Sequence, residues 1–115
     1  MKPRVLLILT HDPRREPRAL EGVRLAAGVG TWQRLDLRLY VDTPALQAFA
    51  SAVEELDEGA DFVRYLSVLA DAQMPIHIPP DSAPGELAVP SLSLQPTSIS
   101  QLAQFAAESD YVLRF

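Results

Sequence analysis

Short aliphatic runs alternate along this chain with longer stretches in which apolar residues recur every three or four positions. Val5, Leu6, Leu7, Ile8 and Leu9 form an unbroken run that stops at the polar Thr10-His11-Asp12-Pro13. A run without alternation has both faces covered, which predicts a central parallel strand over 5–9. Pro13 and Pro17 bracket a loop or first helical turn. Leu20, Val23 and Ala27 then mark one helical face to Gly28, with Gly28 and Gly30 placed as a helix C-cap. Residues 35–41 alternate, with Leu35, Leu37, Leu39 and Val41 set against Asp36, Arg38 and Tyr40. That pattern predicts a second strand with one face less covered, as at a sheet edge or a subunit contact.

Thr43-Pro44 reads as the N-cap and first position of a second helix, with Leu46, Phe49, Ala50 and Val53 on its apolar face. The acidic group Glu54, Glu55, Asp57 and Glu58, with Gly59, closes it. A third helix starts near Asp61 and carries Phe62, Leu66 and Leu69. Pro75 and Ile76-His77-Ile78 predict a third strand, closed by Pro79-Pro80. From 79 to 97 prolines are dense, so a loop is expected, with room for a short strand within 87–94. Ser98-Ile99-Ser100-Gln101 has the spacing of a capping box, and residues 110–115 read as a closing strand. Strands alternating with helices imply a parallel sheet with right-handed crossovers. The expected fold is a single α/β domain over 1–115, a small flavodoxin-like three-layer sandwich with a mostly parallel sheet of four to five strands.

Composition narrows the function classes. A net charge of −5 argues against nucleic acid, which demands a positive surface. The chain has no cysteine, which excludes disulfides, thiolate metal sites and a cysteine nucleophile or sulfur carrier on it. The aliphatic run at 5–9 is too short for a signal peptide, and no stretch approaches the roughly 20 apolar residues of a membrane span. A soluble, cytoplasmic protein with no membrane contact is expected.

In α/β proteins ligands bind at the carboxyl ends of the strands. Thr10, His11 and Asp12 follow the first strand, Asp42 and Thr43 follow the second, and His77 lies in the third. Imidazoles and carboxylates are the right types for a divalent cation, but no pair has i, i+4 spacing and Asp42 and Thr43 compete for a cap, so no metal and no cofactor is expected. Arg14, Arg15 and Arg18 stand at the start of the first helix, where the macrodipole disfavours cations. Either a small anion is held there by arginines and backbone N–H groups, or Asp12, Glu16 and Glu21 neutralise them on a solvated surface. The anion reading names Thr10, His11, Asp12, Arg14, Arg15, Arg18 and Asp42 as its ligand-binding residues. Gly28-Val29-Gly30 follows a helix and lacks a third glycine, so it is no dinucleotide fingerprint. Ser82 and Ser91 have no G-x-S-x-G elbow around them and are turn residues. No catalytic residue is expected.

The order of features resembles the DsrE/TusD-like sulfur-relay family. The likeness rests on the first strand and its polar exit (5–12, then Ala19-Leu20), the acidic turn and helix at 58–69 before Pro75 to Ile78, the small-residue loop Ser82-Ala83-Pro84-Gly85, and the ending from Ile99-Ser100-Gln101-Leu102-Ala103 to Asp110-Tyr111-Val112-Leu113-Arg114-Phe115. Members of that family commonly carry a persulfide on a cysteine after the third strand. Here that segment reads Ile78-Pro79-Pro80-Asp81-Ser82, and a serine oxygen neither forms nor exchanges a persulfide. The resemblance therefore implies a cysteine-less, non-catalytic member. It also implies self-association as a trimer or hexamer, or a hetero-oligomer with related subunits. Residues 35–41 and 87–94 are the expected interface, with Trp32 and Tyr40 either as its anchors or as core residues. The alternative is a binding protein for a nucleotide or another small anion.

Overall fold

The computed structural model describes residues 2–30, 34–82 and 84–115. Its elements run β1 (Arg4–Leu9), α1 (Arg18–Gly30), β2 (Asp36–Val41), two 3-10 segments (Thr43–Phe49 and Ser51–Glu55), α2 (Gly59–Asp71), β3 (Pro75–Ile78), β4 (Ser93–Pro96), α3 (Ile99–Glu108) and β5 (Tyr111–Arg114). The five strands make one sheet in the order β4-β3-β2-β1-β5, and every pairing is parallel. The fold is the expected flavodoxin-like α/β class.

The two faces of the sheet are unequal. Leu7, Leu9, Leu39, Val41, Ile76 and Ile78 alternate onto one face and pack against Val23, Ala26, Phe62, Leu66 and Leu69 of α1 and α2. That layer is the core. The other face carries Leu6, Arg38, Tyr40 and His77, and α3 lies on it through Phe105 and Glu108. Leu6 and Leu7 point to opposite faces and both are fully buried, as the unbroken aliphatic run requires. No residue of α3 is buried and every residue of β5 is exposed, so the side of the sheet that they form is thinly covered.

Four local expectations are corrected. β2 is an interior strand, hydrogen-bonded to both β1 and β3, and the edges are β4 and β5. Its alternation reflects the unequal layers above and below it. Residues 43–55 form 3-10 turns rather than one α-helix, because the chain breaks at Ala50 into an extended conformation. There Ser51 N–H donates to the Glu86 carbonyl and Ala88 N–H to that of Phe49, so pairing with a distant segment overrides the local helical period. The same pairing packs Leu87, Ala88 and Val89, each still partly exposed, against the core. The acidic group only in part closes a helical element: Glu54 and Glu55 end the second 3-10 segment, whereas Asp57 and Glu58 lead into α2, with Glu58 as its N-cap at the positive end, where carboxylates are favourable. Gly28 and Gly30 lie inside α1, not beyond it.

The strand within 87–94 is displaced to Ser93–Pro96. Tyr40 takes the core alternative and is almost fully buried, while Trp32 falls outside the described residues. No helix among the described residues is long and apolar enough to cross a membrane.

Candidate functional site

The parallel sheet brings its carboxyl ends to one edge. Thr10, His11 and Asp12 leave β1, Asp42 leaves β2, Pro79 to Ser82 leave β3, and Thr97 leaves β4. Asp42 N–H donates to the Leu9 carbonyl at 2.9 Å, which ties the exit of β2 to that of β1. Its carboxylate accepts from Thr43 N–H at 2.8 Å and its carbonyl accepts from Ala45 and Leu46. Asp42 is therefore the cap, and Thr43 is the first residue of the turn.

At β1 the polar exit folds on itself. Arg14 clamps Asp12 in a fork: Nε donates to Oδ1 at 3.1 Å and Nη2 to Oδ2 at 2.8 Å, while Arg14 N–H also donates to Oδ1. These bonds hold the Asp12 carboxyl below the usual carboxylate range, with the Arg14 side chain as the main cause. Thr10 donates its hydroxyl to the Phe115 carbonyl and lies 3.2 Å from His11 Nδ1, and His11 Nε2 is 3.9 Å from Glu16. Arg14 and Arg15 precede α1, which starts at Arg18. Arg15 and Arg18 are exposed and make no ion pair among the described residues. The predicted set is thus divided. Thr10, His11, Asp12 and Arg14 are occupied with each other and with Phe115 and Glu16, Asp42 is a cap, and Arg15 and Arg18 remain open to solvent.

His77 does not join this group. It lies on the α3 face, where its Nδ1 is 2.8 Å from Thr97 Oγ1 and its ring meets that of Phe105 edge-on at 4.9 Å. Burial, and secondarily the charge of Arg38, lower its pKa. Among the described residues no cluster of three or more His, Asp or Glu side chains is placed to hold a metal ion.

A cleft of about 440 Å³ opens at the carboxyl edge between the turn after β2 and the loop after β3. Thr43, Gln47, Asp81 and Ser82 supply its polar lining, and Leu46, Pro79 and Pro80 its apolar part. Ser82 donates its hydroxyl to the Pro79 carbonyl at 2.7 Å, so it closes a turn and is not poised as a nucleophile. Gln47 and Asp81 are legible as site residues only once β2 and β3 are known to be neighbours. A larger hollow, about 590 Å³, lies at the amino ends of β1 and β2 beside Arg4, Arg38 and Glu108. It is at the wrong end of the strands for an α/β site.

No family model and no curated protein matches the chain. Its structure is similar to the crystal structure of the YchN protein from E. coli, with a TM-score of 0.71 over 100% of both chains at 21% sequence identity. That likeness establishes a YchN/DsrE-like fold for this chain.

Proposed function

We propose that this chain is a non-catalytic, oligomer-forming DsrE-like protein that acts as a structural or regulatory subunit in a sulfur-relay-like complex. One observation carries the reading: Tyr111, Val112 and Leu113 on the edge strand β5 are 62%, 45% and 41% exposed. Three consecutive large apolar residues on an unpaired edge are a liability for a monomer and an asset for an assembly. The missing thiol, with Pro79-Pro80-Asp81-Ser82 after β3, supports the non-catalytic half of the proposal. Light scattering on size-exclusion fractions at micromolar concentration tests it. The expected mass is an integral multiple of 12.6 kDa; a monomer across the accessible range overturns it.

A second reading, a small anion at the carboxyl edge, is favoured by Arg15 and Arg18 standing unpaired among the described residues near the start of α1. Selective binding stabilises the native state, so phosphate or nucleotide at saturation would raise the melting temperature. That rise should vanish in an Arg15→Ala/Arg18→Ala variant, and its absence in the parent protein removes this reading.

A further inference from the structure

The two open edges of the sheet are not equivalent. Thr97 N–H turns inward to the Ile78 carbonyl, so by alternation Pro96 occupies an outward position on β4 and offers no donor there. β5 has no proline. Phe115 donates its N–H to Ile8 at 2.8 Å and accepts from Thr10 N–H at 2.7 Å, so both of its peptide groups face β1. Successive residues in a parallel ladder turn to opposite sides. Tyr111 and Leu113 therefore face β1, and Val112 and Arg114 present N–H and C=O to the open edge.

The segment Asp110-Tyr111-Val112-Leu113-Arg114 is complementary to its own reverse. We infer that β5 pairs antiparallel with β5 of a second copy of this chain, across a two-fold axis at Val112. This rests on the self-association proposed above and names its contact. In that register the two Val112 residues exchange N–H···O bonds. Each Asp110 stands opposite Arg114 of the other copy, and each Tyr111 opposite Leu113, with opposed side chains on the same face. Asp110 lies just before β5 and is anchored to the start of β1, its N–H donating to the Arg4 carbonyl at 2.7 Å and its Oδ2 accepting from Arg4 N–H at 2.8 Å, so its part in the dimer is a side-chain contact through Oδ1 alone. An in-register parallel pairing would instead set Asp against Asp and Arg against Arg. The contact is isologous, as a two-fold dimer requires, and joins two five-stranded sheets into one. It is short, so it belongs with small and weak interfaces.

Charge reversal reads the register directly. Asp110→Arg and Arg114→Asp each create two like-charge contacts in a homodimer and should weaken it by about ten-fold or more. Mixed one to one, the two variants regain opposite charges at every position and should form a heterodimer of wild-type affinity, measured by sedimentation velocity up to several hundred micromolar. Val112→Pro removes the outward donor while leaving the bonds to β1, and should abolish the dimer with an unchanged circular dichroism spectrum. If the wild type is oligomeric and all three variants keep its mass, the β5 contact is wrong and self-association survives. If the mixture fails to reassociate, the register is wrong. A monomeric wild type overturns both.

Discussion

The His77 ring is hydrogen-bonded through Nδ1 to the buried Oγ1 of Thr97, 2.8 Å away, across the β3–β4 pairing. The same hydroxyl lies 3.0 Å from the Gln95 carbonyl, so Thr97 links the ring to the β4 backbone. Burial, and secondarily the charge of Arg38, hold the pKa of His77 below the ordinary 6.5. A depressed histidine means that the unfolded chain binds more protons as pH falls through 6.5, so stability drops on acidification. Melting temperature should therefore fall between pH 7.5 and 5.5 by more in the wild type than in His77→Gln. Equal slopes would show that this ring does not govern the acid limb.

Helix α1 offers a pair of opposite glycine outcomes. A Cβ at Gly22 would collide with Leu9 Cδ2 and lie 3.1 Å from Phe115 Cβ, and Leu9 is fully buried. Gly22→Ala should cost about 1–3 kcal/mol through overpacking, against roughly 1 kcal/mol of helix propensity gained. Gly28 has nothing within 4 Å of such a Cβ. Gly28→Ala should stabilise by about 0.5–1 kcal/mol. Urea midpoints for the two variants, moving apart around the wild type, check both.

The capping box predicted for α3 is present: Gln101 N–H donates to Ser98 Oγ at 3.1 Å, and Ser98 N–H donates to Gln101 Oε1 at 2.9 Å. A helix without buried residues depends more than most on its ends. Ser98→Ala should cost about 1 kcal/mol, and amide exchange should quicken in α3 well before it does in α1. Uniform protection loss across the molecule would contradict this.

The fork between Arg14 and Asp12 has a direct titration readout. Arg14→Ala should return the Asp12 carboxyl upward toward 3.8, followed by the side-chain carboxyl chemical shift in an NMR titration. The contribution of this pair to stability exists above the unfolded value and fades as pH falls through the folded one. The Arg14 guanidinium is exposed, so solvent screens the pair and the change in melting temperature will be small.

Much of this fold was written in local pattern. The aliphatic run at 5–9, the terminal strand and the Ser98 cap depend on neighbours in sequence, and each is where its residues place it. What pattern could not carry were relations across the sheet. The break at Ala50 is imposed by Leu87 and its neighbours, and the alternation of β2 looks the same at an edge as beneath a lone helix. The site divided in the same way. Carboxyl-end residues were recognisable from their position after each strand, but that Arg14 is spent on Asp12, and that Gln47 and Asp81 line one cleft, are facts of three dimensions.

The placement of β5 beside β1 joins residues more than a hundred positions apart. Such a pairing forms late, because the intervening loop must close before any hydrogen bond compensates its entropy. Until then the most aliphatic strand of the molecule stands with one flank bare, and that interval is where chains would stick to one another. Arrival of the last strand is thus the step at which folding and clumping compete, and dilution or faster closure favours the former.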